Sequence, residues 1–383
     1  MSRVTRRDDS ARMNEEGASV PAASDAQHAP RQSHIELLRI VLIVGVIVLH
    51  LGNADMGGGL KYAEGISWLA VLSTQSVFRC SVDAFMIISG YFLCTSNRQT
   101  LWKPVRLVFE TMVFGVVVYV AHTFVGGGFS LKSLLVASVP SNYFVILYVV
   151  VYLLSPWTNR LLASLDDGQL ARLCVVLLIL LCLWPTLVDV IGELRGADFT
   201  GLSTIGLYGS MRGYSLVNFW VMYVVGAVLR RKPLCVSSRF AVLLLLASIV
   251  VKTAWAMGDY AIGVLPALLP GPTAFEYCNP FVCMDAVLIV TLFSRLQLSY
   301  SRVINVLASC SFGVYLLHEE FLRFISMEAI VSMPALVIPM IMIAAAFIVY
   351  LACSAFVMLY ECMSARLFNY LRTRIGPFVW DIG

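Results

Sequence analysis

The chain has 383 residues, of which 59% are hydrophobic and 13% are charged, and its mean hydropathy is +0.83. This balance excludes a soluble globular protein of the same length and predicts an integral membrane protein. The formal net charge is only +4, and the positions of the charges along the chain are more informative than their sum.

Residues 1–33 have an ordinary soluble composition, with scattered arginines, alanine, serine and proline and almost no large apolar side chains. We interpret them as a disordered cytoplasmic tail, because such a segment cannot bury enough apolar surface to fold. A multispanning membrane domain is expected over residues 34–362, followed by a short basic cytoplasmic tail at 363–383. The segments between the apolar runs are too short for a soluble domain.

Apolar runs of about 18 residues or more predict the membrane-spanning helices. The expected fold is therefore an all-α integral membrane protein with about ten transmembrane helices. The expected spans are residues 35–52, 68–94, 105–125, 142–160, 170–191, 214–231, 239–257, 278–296, 303–326 and 333–360.

The Lys and Arg residues predict the orientation of these spans. Of the 27, 19 fall in segments that face the cytoplasm if the N-terminus is inside, and 4 fall in the outer loops. The remaining four lie within spans. Cytoplasmic loops are enriched in Lys and Arg, so this asymmetry predicts a multi-pass protein of the cell membrane with both termini in the cytoplasm.

The first span carries three polar side chains, Glu36, Arg39 and His50. A helix turns about 100° per residue, so Arg39 and His50 fall within about 20° of one face, and Glu36 precedes Arg39 by one turn. One interpretation is a snorkelling Arg39 at one end and an interfacial His50 at the other. Three polar groups on one stripe favour a functional face, because intramembrane ionisable groups usually face a protein interior or a wet cavity.

The second and third spans carry further charges. Arg79 and Asp83 are four residues apart and are expected to share a helix face and pair, either as a structural ion pair or as part of a site. Lys103 and Arg106 lie one turn apart where the third span begins. This basic pair is explained either by the topology signal alone or by binding of an anionic phosphate at the membrane surface.

The ninth span contains SCSFGVYLLHEE, in which Tyr315 and His318 are one turn apart. His318 is expected at a depth comparable with that of His50, so the two histidines could line one pocket. The ten cysteines form no CxxC pair and no Cys/His cluster with metal-ligand spacing, so no metal site is predicted.

Five stretches, taken together, resemble the acyltransferase-3 family of bacterial integral membrane acyltransferases. They are Arg39 with His50 after ten intervening residues, SVDAFMIISGYFL in the second span, Lys103-x-x-Arg106, YFVILYVVVYLLSP in the fourth span and SFGVYLLH near the C-terminal end. The second stretch is similar to the family's VDLFFxxSGYL, and Lys103 stands where the family often has arginine. A lysine keeps the charge but loses the bidentate fork of arginine.

The resemblance implies an O-acyltransferase with a cytoplasmic acyl-CoA donor, usually acetyl-CoA, as a co-substrate rather than a permanently bound cofactor. The implied acceptor is a hydroxyl of an extracytoplasmic glycan or lipid-linked sugar, such as a surface polysaccharide. It also implies that His50 is the catalytic base and that Arg39, Lys103 and Arg106 engage the anionic donor.

A mechanism follows in which the donor's long arm runs up the polar stripe of the first span toward His50. With an ordinary pKa of about 6.5, His50 is suited to take the proton of an acceptor hydroxyl. Arg79 or a neighbouring hydroxyl is a candidate for stabilising the oxyanion. An alternative of another class is a transporter or flippase for a lipid-linked glycan, in which the same charges line a translocation path.

Overall fold

The computed structural model describes residues 32–96, 98–196, 202–206, 209–259, 271–375 and 378–381. The segment predicted to be a disordered tail lies outside the described residues as far as Arg31. From Ser33 the chain is mostly helical.

The described residues form sixteen α-helices, numbered here in chain order. They are α1 (Ser33–Gly52), α2 (Gly59–Tyr62), α3 (Gly65–Phe78), α4 (Ser81–Leu93), α5 (Trp102–Phe124), α6 (Leu131–Ala137), α7 (Tyr143–Ala163), α8 (Asp167–Leu178), α9 (Trp184–Arg195), α10 (Leu216–Arg231), α11 (Ser238–Ala256), α12 (Pro280–Ser294), α13 (Arg302–Ser309), α14 (Ser311–Leu322), α15 (Met327–Val331) and α16 (Ile338–Ile375). A π-helical turn, Ile179–Leu183, joins α8 to α9.

The described ranges also contain two strands of three residues each. The strands β1 (Arg98–Thr100) and β2 (Val379–Asp381) pair antiparallel, with Gln99 opposite Trp380. This pairing holds the chain after α16 against the start of α5.

Within the described ranges, eight helical segments are long and apolar enough to cross a membrane. They are Ser33–Gly52, Gly65–Leu93, Trp102–Phe124, Tyr143–Ala163, Asp167–Arg195, Ser238–Ala256, Pro272–Ser294 and Ile338–Ile375. The prediction of a multi-pass, helical membrane protein is therefore confirmed. The other two expected spans are helical but shorter: α10 has 16 residues, and the ninth span is divided into α13 and α14 at Cys310. The last helix continues past residue 362 to Ile375.

The first helix lies in the middle of the fold. It packs against α3, α4, α13, α14 and α16, and residues 42–49 are all buried. A helix that is apolar around its whole circumference is either buried in a protein core or spans a membrane. Neighbouring helices enclose α1: Glu36 is buried, whereas Arg39 and His50 are partly exposed near its two ends.

Two ends of the helix assembly can be defined by side-chain contacts. At one end, His50 lies near the last turn of α1, and His122 near the end of α5 contacts Glu320 of α14. At the opposite end, Trp102 at the start of α5 packs against Phe368 of α16. We call these the His50 end and the Lys103 end.

The closest helix contact joins α4 to α10. Gly90 stands against the backbone of Tyr223, and Gly226 stands against the backbone of Ile87, so a Cβ at either glycine would collide with the opposite chain. Small residues allow this kind of close approach between membrane helices. The contact brings Asn218 of α10 next to Asp83 of α4.

Candidate active site

The two membrane histidines meet at the His50 end of the structure. Nδ1 of His50 lies 2.7 Å from Nε2 of His318, and the imidazole planes are inclined by 25° with ring centroids 4.7 Å apart. His318 is fully buried, whereas His50 is partly exposed. The matching depth expected from the sequence is thus realised as direct contact between α1 and α14.

The hydrogen bonds define which ring nitrogens carry protons. Nδ1 of His318 lies 2.7 Å from the carbonyl oxygen of Tyr315, and a carbonyl can only accept, so this nitrogen donates. In a neutral imidazole Nε2 of His318 is then an acceptor, and Nδ1 of His50 must donate to it. This assignment leaves Nε2 of His50 with a free lone pair. That nitrogen is the one available to take a proton from a substrate.

Glu319 adds a carboxylate to this pair. Its Oε1 atom lies 3.8 Å from Nδ1 of His50, and the glutamate side chain is exposed. Potential ligand atoms of His50, His318 and Glu319 all lie within 4.8 Å of one another. Two nitrogens bound to one tetrahedral zinc at about 2.0–2.1 Å would be about 3.3 Å apart. The 2.7 Å separation therefore fits a direct hydrogen bond between the histidines better than a shared metal.

The turn that carries His50 is held by a side chain from α3. Nε2 of Gln75 donates to the carbonyl oxygens of Val48 and Leu49, at 3.1 Å in both cases. Gly52 makes room for this amide, because a Cβ there would occupy its position. The backbone of α1 on the N-terminal side of His50 is therefore fixed by a buried donor, Gln75, that no pattern in the sequence indicates.

Arg79 lies at the junction of α3 and α4 and does not form the predicted pair with Asp83. Its Nε atom donates to the carbonyl oxygen of Phe275, and its guanidinium carbon lies 4.8 Å from the ring centroid of Tyr277. Asp83 accepts instead from Nδ2 of Asn218 at 3.0 Å. The prediction fails because α3 ends at Phe78 and α4 begins at Ser81, so the two side chains do not share one continuous helix.

Three tyrosines surround Arg79 near the histidine pair. The rings of Tyr143 and Tyr214 are 5.0 Å apart, and those of Tyr214 and Tyr277 are 4.8 Å apart, both edge to face. Asn142, next to Tyr143 in the chain, accepts a hydrogen bond from Tyr315, the residue whose carbonyl oxygen contacts His318. Tyr214 and Tyr277 carried no signal in the sequence beyond their positions at the edges of predicted spans. The site therefore combines a base, a cation and several aromatic hydroxyls.

Glu36 and Arg39 lie away from the histidine pair, toward the other end of α1. Nη1 of Arg39 donates to Oε1 of Glu36 at 2.8 Å, and the glutamate is buried. Eleven residues of helix separate Arg39 from His50 by about 16 Å, so the two side chains cannot act on the same atoms. The shared face is consistent with the predicted stripe, but only His50 belongs to the histidine site.

A family model described as an acyltransferase domain, Acyl_transf_3, matches residues 33–359. The chain belongs to the acyltransferase-3 family. No curated protein and no solved structure matches it. Membership supports an acyltransferase activity in a multi-pass membrane protein, and the match covers every helix described above except the end of α16.

The basic pair expected in this acyltransferase-3 chain is divided between two environments. Lys103 is exposed and lies over the rings of Tyr148 and Tyr152, with Nζ 5.2 Å and 4.9 Å from the two centroids. Arg106 instead donates to Glu110 at 2.7 Å and also to Glu361 of α16. Of the two, only Lys103 is without a carboxylate partner in the described part of the chain.

Proposed function

We propose that this chain is a membrane O-acyltransferase that moves an acyl group, typically acetyl, from cytoplasmic acyl-CoA to a hydroxyl of an extracytoplasmic glycan. The observation that carries the proposal is the hydrogen-bonded chain from the Tyr315 carbonyl through His318 to His50. It leaves Nε2 of His50 unprotonated and oriented, which is what a general base requires.

In the proposed reaction, Nε2 of His50 takes the proton of the acceptor hydroxyl as the hydroxyl oxygen attacks the thioester carbonyl. The carbon–oxygen bond forms, the carbon–sulfur bond breaks, and the coenzyme A thiolate leaves with the proton returned by His50. During the reaction His50 is an imidazolium whose Nδ1 proton is held by His318. The carboxylate of Glu319 favours that charge. This is the role that an orienting third group has in other base-assisted acyl transfers.

Arg79 is the best-placed group for the charge that develops on the thioester oxygen. It is partly buried, its Nε donates to the Phe275 carbonyl oxygen, and it has no carboxylate in ion-pair contact within the described residues. A fixed cation in a low-dielectric site stabilises an oxyanion more strongly than one in water. Tyr143, Tyr214 and Tyr277 supply the flat rings and hydroxyls that suit a sugar acceptor.

At the opposite end, Lys103 is the group we assign to the donor phosphates. Arg39 and Arg106 are also proposed to contribute positive charge, but each is already hydrogen-bonded to glutamate. Lys103 is therefore the main contact that we propose for the donor phosphates. Asp83 is assigned a supporting role, because its hydrogen bond to Asn218 links α4 to α10.

The test is acyl transfer by the purified chain in lipid nanodiscs, supplied with isotopically labelled acetyl-CoA and glycan from cells that lack the gene. The proposal predicts coenzyme A release that depends on the glycan, together with labelled ester on the glycan by mass spectrometry. Movement of a lipid-linked glycan across the bilayer without acyl-CoA consumption would instead support a flippase. Release of coenzyme A that is independent of any glycan would contradict the assigned acceptor.

A further inference from the structure

Three aromatic residues form a row along α7. Phe144, Tyr148 and Tyr152 are spaced four residues apart and therefore share one helix face. The rings of Tyr148 and Tyr152 are 6.4 Å apart at 25°, and those of Phe144 and Tyr148 are 6.3 Å apart at 13°. The three rings are thus close to parallel along about 12 Å of helix.

The row continues from α7 to the histidine pair. The rings of Phe144 and Tyr315 are 5.3 Å apart, and Tyr315 stacks on His318 at 5.9 Å with an angle of 29°. His318 in turn is hydrogen-bonded to His50. We use the term aromatic row for Tyr152, Tyr148, Phe144 and Tyr315, which together reach the candidate base.

The other end of the aromatic row is marked by a cation. Lys103 lies over the faces of Tyr152 and Tyr148 at distances suited to cation–π attraction. It is exposed and makes no ion pair within the described residues. One continuous series of rings therefore joins an exposed positive charge at the Lys103 end to the histidine pair at the His50 end.

One side of the aromatic row is fixed by the core and the other is accessible. Phe144 packs against the fully buried Phe219 of α10, with ring centroids 5.4 Å apart. Tyr152 is buried as well, whereas Phe144, Tyr148 and Tyr315 keep intermediate exposure. The hydroxyl of Tyr148 has no hydrogen-bond partner in the described part of the chain, whereas that of Tyr152 donates to the carbonyl of Thr100. A tyrosine buried only for packing usually finds a partner for its hydroxyl.

The first helix does not offer an equivalent path. Residues 42–49 of α1 are buried against neighbouring helices, so its polar stripe has no open face between Arg39 and His50. The expectation that a donor arm follows that stripe is therefore not consistent with the packing. Between the two ends, Phe144 and Tyr148 of α7 and Tyr315 of α14 are partly exposed instead.

We propose that the aromatic row binds the amide-containing arm of the acyl thioester donor, with Lys103 at its phosphate end and the thioester at His50. This inference rests on the proposed function and adds the residues that carry the donor through the protein. The planar amides of the arm stack on aromatic faces, and its methylene segments contact the same rings. A series of rings gives contact along the arm without requiring one fixed hydrogen-bond pattern.

The test separates the arm of the donor from its nucleotide end. Dissociation constants are measured for coenzyme A and for adenosine 3′,5′-bisphosphate, which carries phosphates but no arm, on the purified chain in nanodiscs. Tyr148→Leu and Phe144→Leu should each weaken coenzyme A binding about tenfold and leave bisphosphate binding unchanged. Tyr148→Phe keeps the ring but loses the hydroxyl, so it should weaken coenzyme A binding less than Tyr148→Leu does and leave bisphosphate binding unchanged. Lys103→Ala should weaken both ligands.

Phe347→Leu is the matched control, because Phe347 is an exposed ring on α16 remote in sequence from the row. If the parent binds coenzyme A and the two leucine variants bind it equally well, the aromatic row is not the path and the proposed function stands. A leucine variant that loses both ligands equally also contradicts the inference, since the effect would not be specific to the arm. A parent that binds no coenzyme A overturns the proposed function itself.

Discussion

His50 and His318, 268 positions apart in the chain, are joined by a 2.7 Å hydrogen bond between Nδ1 of the first and Nε2 of the second. The bond connects the last turn of α1 to α14 and is continued by the contact of His318 with the Tyr315 carbonyl. A partly exposed histidine is thereby held in one tautomer by a fully buried one.

Replacing His318 should slow transfer without abolishing donor binding. His318→Phe removes the acceptor for the His50 Nδ1 proton, and the loss of such a bond to a group that becomes charged is expected to cost about 10- to 100-fold in rate. His318→Gln supplies a side-chain oxygen acceptor and should retain part of the rate. The measurement is the initial rate at saturating acyl-CoA. Equal rates for His318→Phe and His318→Gln would show that a hydrogen-bond acceptor for Nδ1 of His50 does not affect the transfer rate.

The buried pair of Lys252 and Asp285 gives a stability prediction independent of catalysis. Nζ of Lys252 lies 2.6 Å from Oδ2 of Asp285, both side chains are almost fully buried, and Nζ also donates to the Ser76 carbonyl. Lys252→Met leaves an uncompensated buried carboxylate and should lower stability by about 3–5 kcal/mol. The double variant Lys252→Met/Asp285→Leu should recover most of that loss in thermal unfolding measured in detergent. A double variant no more stable than the single would contradict this account.

Replacing Arg106 should lower the stability of the protein more than replacing Lys103. Its guanidinium contacts Glu110 and Glu361, so Arg106→Ala leaves two carboxylates facing each other. We expect a loss of about 1–3 kcal/mol of stability, partly restored by Arg106→Ala/Glu110→Gln. Lys103→Ala should unfold at the parental temperature. The prediction fails if Lys103→Ala is the less stable of the two single variants.

Both termini are predicted to lie in the cytoplasm. A C-terminal fusion to a reporter that is active only outside the cytoplasm should be silent, and the same reporter inserted at Gly127 should be active. Gly127 lies in the loop after α5, which has the opposite location in the predicted topology. Activity of the C-terminal fusion would mean that the number of membrane crossings is odd.

Features set by local pattern could be read from the sequence. The apolar runs located most helices, and the positions of His50 and His318 near the ends of two runs indicated a shared pocket. The i,i+3 contact of Glu36 with Arg39 also follows from helical spacing. These features depend on residues within one helix or on depth in the membrane, both of which the chain order specifies.

Features set by contacts between distant elements could not be read in this way. The break after Phe78 separates Arg79 from Asp83, and no proline or glycine in the local sequence announces it. Glu361, which contacts Arg106, is 255 residues away in the chain. The sequence shows that Phe144, Tyr148 and Tyr152 are four residues apart. Their link to His318 depends on the contact of Phe144 with Tyr315 of α14, which local spacing does not predict.

Substitution of His50 distinguishes a catalytic base from an interfacial anchor. Acyl transfer to surface glycan is measured in cells that express each variant at matched membrane levels, with His34→Ala at the opposite end of α1 as the control histidine. His50→Ala should insert and fold but lose about 10²- to 10⁴-fold in rate, because the general base is removed. Arg39→Lys should retain activity, since lysine can keep the ion pair with Glu36. Transfer at the parental rate by His50→Ala would show that this histidine is only an anchor at a helix end, and the proposed mechanism would be wrong.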